Sequence, residues 1–190
     1  MNTAVRTRKR MTVDELLALP DDGKERWLIG GELWEREMTK RNRFHARLVV
    51  RVAYLLEEWC QKQPEPRGEV VGGEAGFILR RDPATTAGLD VAYVSSHTRS
   101  TQTNQTTMYD GPPVLAVEIL SPNNTHEEVA SKVRDYLACG VALVWVIDPD
   151  FGTVTVYQPG REPSLFNRTE TISADPHLPG FSCPVAEFFR

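Results

Sequence analysis

The chain has 190 residues, 41% hydrophobic and 25% charged, enough to bury a core and unlike a disordered or collagen-like chain. No apolar run approaches the ~20 residues of a membrane span, and the opening MNTAVRTRKR has no apolar stretch behind it, so no secretory leader and a cytoplasmic setting are expected. A net charge of −4 argues against a uniformly basic nucleic-acid-binding surface and leaves such contact to a local patch.

Residues 1–11 read as a flexible basic tail ahead of a single domain. Thr12 to Leu19 predicts a short helix, with Thr12 and Glu15 at capping-box spacing and Pro20 to Gly23 ending it. Glu25 to Ile29 and Glu32 to Glu37 are strand-like and meet at Gly30-Gly31, the signature of a hairpin. From Arg43 to Gln63, His45, Val49, Val52, Leu56 and Trp59 form one helical stripe that Pro64 and Pro66 stop.

Glu69 to Leu79 and Leu89 to Val94 are strand candidates, and the polar stretch from Ser95 to Asp110 predicts a long loop. VLAVEIL, from Val114 to Leu120, suits a strand covered on both faces. Thr125 to Cys139 follows as a helix with a second capping box, Thr125 and Glu128, and Gly140 as terminator. Val141 to Ile147 is another apolar strand, so the unit predicts a parallel pair with a right-handed helical crossover. Thr153 to Tyr157 alternates like a half-exposed strand, and Phe181 to Phe189 could dock on the body. Cys60, Cys139 and Cys183 are too scattered for a disulfide framework or a zinc cluster and read as free thiols.

Glu118 is the sharpest anomaly, because a carboxylate inside VLAVEIL needs a cation or a hydrogen-bonding partner to be buried. Strand alternation points it with Ala116 and Leu120, away from Val117 and Ile119. Asp90 opens the apolar run of LDVAYV; if the two strands are neighbours, both acids can converge on one Mg²⁺ (or Mn²⁺), which takes one or two carboxylates and completes its shell with water and phosphate. Lys132 borders the buried stripe of the following helix, where it could orient a water or offset phosphoryl charge.

Each residue also has a plainer reading. Asp90 suits a strand start, Glu118 a buried ion pair, and Lys132 a surface pair with Glu128 four residues earlier. His45 is either a core histidine or a site residue; Glu74 and Glu32 are further candidate acids. Arg41, Arg43 and Arg47, in a basic run from Arg36 to Arg51 broken only by the acid Glu37, are either phosphate contacts or a solvated helix face.

The segments LDVAYV, VLAVEILSPNN and KVRDYLACGVALVWVIDP together resemble the Uma-two family of restriction endonucleases, in the PD-(D/E)xK nuclease superfamily, over about Thr12 to Tyr157. The resemblance implies an α/β fold with a restriction-endonuclease-like core, a mixed β-sheet flanked by helices, here preceded by a helix and hairpin. It also implies Mg²⁺-dependent phosphodiester hydrolysis. Asp90 matches the motif aspartate and Glu118 its second acid. Leu120 stands where the usual lysine would follow, and Lys132 is the natural substitute; His45 matches a histidine at the start of the family's long helix. Leu89 replaces a proline, Gly30 in WLIGGEL replaces an aspartate, and Trp27 occupies a place where an acid is common, so Glu25 or Glu32 would have to compensate.

Three functions remain open on the sequence. One is a DNA-cleaving, Mg²⁺-dependent endonuclease using Asp90, Glu118 and Lys132. Another is a nuclease fold kept as a binding module without turnover. The third is a structural homodimer subunit in which Glu118 merely pairs with Lys132.

Overall fold

In the computed structural model, the mid-chain apolar strands join one mixed seven-stranded sheet; the structure describes residues 5–37, 42–103, 107–122 and 124–190. In chain order the elements are β1 (Val5–Arg10), α1 (Val13–Leu17), β2 (Lys24–Ile29), β3 (Glu32–Glu37), α2 (Arg43–Cys60), β4 (Glu69–Arg81) and β5 (Ala84–Val94). There follow α3 (Ser96–Ser100), β6 (Tyr109–Asp110), β7 (Leu115–Ile119), α4 (His126–Ala138), β8 (Leu143–Asp148), β9 (Thr153–Tyr157) and β10 (Ser164–Phe166). The large sheet runs β10-β9-β8-β7-β5-β4-β6, and β1, β3 and β2 form a separate antiparallel sheet.

The local signals explain the elements. Thr12 and Thr125 close the expected capping boxes on α1 and α4. Gly30 and Gly31, at φ 58° and 86°, supply the left-handed conformations of the tight β2–β3 turn. β7 and β8 are parallel, from Leu115↔Leu143 to Ile119↔Ile147, with α4 as their crossover. α2 ends at Cys60, three residues short of the expectation.

Three readings need correction. The basic tail is a strand from Val5, pairing with the outer edge of β3 and so satisfying an edge that would otherwise stay open. β5 begins at Ala84, not Leu89. Its early threonines are buried because they serve the hairpin: Thr86 Oγ1 accepts from Leu28 N at 2.9 Å and Thr85 Oγ1 from Gly30 N at 3.3 Å. The long loop holds α3, capped by Ser95 Oγ on Thr98 N, and β6, which pairs with β4; α3 buries no residue, so no apolar stripe announces it.

The sheet is covered on both faces. On one, Leu48, Val52 and Leu56 of α2 pack on Val91, Val117 and Trp145, joined by Phe181, Val185 and Phe188 from the end of the chain. On the other, Val133 and Tyr136 of α4 pack on Ala92, Ala116 and Val144. Among the described residues no helix is long and apolar enough to cross a membrane. All three cysteines are free.

Phe188 is wholly buried and its ring stands 5.8 Å from that of Trp145. Phe188→Ala is therefore expected to destabilise the chain by ~3–5 kcal/mol, read as a lower urea midpoint at unchanged slope.

Candidate active site

β7 is almost wholly buried, and Glu118, 9% exposed, is its one charged residue. Alternation turns it with Ala116 toward α4, as the sequence implies, while Val117 and Ile119 face α2. Two side chains one turn apart on α4 meet it. Lys132 Nζ donates to Glu118 Oε2 at 2.7 Å, and the Tyr136 hydroxyl donates to Oε1 at 2.5 Å. The surface pair between Glu128 and Lys132 is not the arrangement seen: Glu128 Oε2 instead accepts from Thr125 N in the capping box. Tyr136 went unrecognised as a site residue, although its place four residues after Lys132 puts both on one helix face. Burial, reinforced by the charge of Glu118, pushes the Tyr136 hydroxyl well above 10, so it remains a donor.

Asp90 lies on β5, the antiparallel neighbour of β7. The register Val91↔Val117 sets it across from Glu118, one step further along. Its Oδ2 accepts from Ile119 N at 2.8 Å and its Oδ1 faces His45 Nε2 of α2 at 3.1 Å. Burial raises this carboxyl, but His45, the Ile119 amide and the charge of Lys132 outweigh it and hold Asp90 below its ordinary value. His45 is itself 4% exposed, its backbone N–H is capped by Asn42 Oδ1, and its buried Nδ1 has no hydrogen-bond partner among the described residues. Helices on opposite faces of the sheet thus each hold one of the two acids.

The other candidates are spread unevenly. β4 carries one extra residue between Gly72↔Val91 and Ala75↔Leu89, a bulge placed opposite Asp90. Glu74 sits in it at φ 65°, a left-handed conformation that costs a non-glycine residue ~1–3 kcal/mol, and such strain gathers at functional sites. Its Oε2 stands 3.2 Å from where a Cβ on Gly88 would lie, two residues before Asp90. Glu32 follows the hairpin turn, where Gly31 N donates to the Ala84 carbonyl, six residues and therefore ~20 Å along β5 from Asp90. Glu25 is better placed: it pairs with Arg36 and lines, with Trp27, Glu74, Lys132 and Tyr136, a cavity of about 610 Å³. Arg41 lies outside the described residues. Arg43 is exposed against the Phe44 ring, whereas Arg47 donates to the Arg190 carbonyl and lines a second cavity with His45.

Among the described residues no group of three or more His, Cys, Asp or Glu side chains is gathered for a metal ion. Asp90 and Glu118 are the two buried carboxylates here, and a hard cation that keeps most of its water needs no more than one or two. Each of their oxygens carries one hydrogen bond and retains acceptor capacity.

The lowered Asp90 carboxyl ties stability to pH. The unfolded chain takes up this proton near 3.8 and the folded chain only at lower pH. Asp90 therefore stabilises the fold above that range, and the contribution is lost as pH falls through the folded value. In urea titrations from about pH 5 to about pH 2, Asp90→Asn is expected to flatten the acid limb of the stability profile.

The architecture matches the crystal structure of "a putative nuclease belonging to DUF820" from Anabaena variabilis ATCC 29413, with a TM-score of 0.76 at 20% identity over 94% of this chain and 97% of that one. No curated protein matches the chain. The family model Uma2, described as "Putative restriction endonuclease", matches residues 13–186, and the chain therefore belongs to that family.

Proposed function

We propose that the chain is an endonuclease that hydrolyses phosphodiester bonds in DNA with Mg²⁺, or Mn²⁺, held by Asp90 and Glu118. The observation that carries this reading is the pair of buried acids at adjoining positions of the neighbouring strands β5 and β7, with the Lys132 ammonium on one of them. When bound, the cation would supply Lewis acidity and a more acidic water. His45 and the Ile119 amide fix the Asp90 carboxylate, and Tyr136 fixes the inner oxygen of Glu118. Lys132 has three N–H donors and gives one to Glu118, leaving two to orient the attacking water and to meet charge on the phosphoryl oxygens. Arg43 and Arg47, with Arg41, are proposed as phosphate contacts flanking the entrance to α2.

A second reading has its own support. Both oxygens of Glu118 are already satisfied by Lys132 and Tyr136, which is also what a metal-free binding module would need. We further propose a homodimer. The outer face of α2 exposes Phe44, Val50 and Tyr54, at 61%, 70% and 55%. Two copies of this helix packed antiparallel across a two-fold axis would bury these side chains against each other. Val50→Glu is expected to shift sedimentation from dimer to monomer, and an unchanged dimer would place the interface elsewhere.

The activity itself is tested with plasmid cleavage and Mn²⁺ calorimetry. Wild type is expected to bind the ion and nick DNA, and Asp90→Ala to lose both. Lys132→Ala should bind the ion with cleavage lowered about 100-fold or more, the loss typical of one preorganised electrostatic group. Ion binding without cleavage in wild type would favour the binding module, and no ion binding would remove both the nuclease and its metal.

A further inference from the structure

The cavity beside Lys132 is more than a path to the two acids. Its walls come from the β2–β3 hairpin, the bulge in β4, the first half of β5 and α4. At about 610 Å³ it falls within the range of pockets that enclose small molecules. Trp27 lines it from the hairpin, and the Arg36 guanidinium stands 5.5 Å from the centroid of the Trp27 ring. Lys132 and Tyr136 line it from α4, so it opens directly onto the group proposed to meet the phosphate.

Asp135 also lines this cavity, on the residue between Lys132's turn and Tyr136. Its Oδ2 is buried and has no hydrogen-bond partner among the described residues. A buried acceptor without a donor is costly, and a turn of the Asp135 side chain toward the cavity would let a ligand N–H relieve it. Burial raises the Asp135 carboxyl, partly offset by Arg134 and a hydrogen bond with Ser131, in keeping with an oxygen short of donors.

A flat aromatic ring beside a cationic plane, an unused acceptor and a neighbouring phosphate-facing ammonium are the complements of one nucleotide's parts. We propose that this cavity receives a single unpaired nucleobase of the substrate strand, stacked on Trp27 with its N–H edge on Asp135, and that guanine fits it best. Guanine presents two adjacent donors, N1–H and N2–H, to a carboxylate, whereas the corresponding edge of adenine has a ring acceptor. The inference rests on the nuclease reading. It names the form of substrate the site takes: a strand with a base out of its stack, so that a matched duplex must first give one up.

The test is fluorescence anisotropy in EDTA, with labelled thymine-rich oligodeoxynucleotides that carry one guanine or one adenine, and the guanine strand annealed to its complement. Wild type is expected to bind the guanine strand more tightly than the adenine strand and more tightly than the duplex. Trp27→Leu, which keeps apolar bulk without a ring, should lose about tenfold on the single strand while Trp27→Phe stays within about twofold. Asp135→Asn should erase the preference for guanine. Melting temperatures of the variants separate these losses from unfolding. Duplex binding as tight as that of the single strand, Trp27→Leu binding like wild type, or no binding to any strand overturns the proposal. The two readings fail separately. Asp90-dependent cleavage of single strands that ignores Trp27 leaves the nuclease and removes the base site. Trp27-dependent binding by a protein that cuts nothing keeps the base site and removes the nuclease.

Discussion

Glu118 carries a carboxylate into a strand whose other four residues are at most 3% exposed, so the helix that covers that face must bring the compensation with it. α4 does so with Lys132 and Tyr136 at adjacent turns, which fixes the rotation of the helix about its axis as well as its docking. Its capping box takes up Glu128, the acid that could otherwise have drawn Lys132 to the surface. The crossover between β7 and β8 is thus an electrostatic device as much as a connection. Removing one partner of such a buried set leaves an uncompensated charge, which is far more damaging than replacing the whole set with apolar groups.

The second acid is held from the other side. His45 reaches Asp90 from α2, the Ile119 amide reaches it from the neighbouring strand, and the bulge in β4 passes opposite. Neither helix alone defines the site, and the sheet between them sets the spacing of the acids by its register. A regular ladder on β4 would carry Gly73 and Glu74 along the strand; the extra residue turns Glu74 over Gly88 and shapes the cavity wall.

Local rules made much of this legible in the sequence. The anomaly of an acid in VLAVEIL pointed to Glu118 and to the face it occupies, and two capping boxes and a Gly-Gly turn located their elements. What escaped depends on tertiary hydrogen bonds. Thr85 and Thr86 look like loop residues until the hairpin amides that need their hydroxyls are in place. Residues 5–10 pair because β3 has a free edge, which no property of their own sequence announces. Tyr136 reads as one more apolar residue of a stripe, and its hydroxyl gains meaning only beside Glu118. Glu32 and Glu25 are equally plausible on paper, and the direction of the hairpin separates them.

The core under α2 is completed by Phe181, Val185 and Phe188, more than a hundred residues beyond His45, and Arg51 of that helix is tied to Glu187. During synthesis, α2 and the strands that carry Asp90 and Glu118 leave the ribosome well before the segment that seals them. The acids are made early, but the dry environment that holds His45 against Asp90 closes only when the last of these aromatic residues has emerged. A nascent or prematurely terminated chain therefore carries Asp90, Glu118 and His45 without the residues that complete the core under α2.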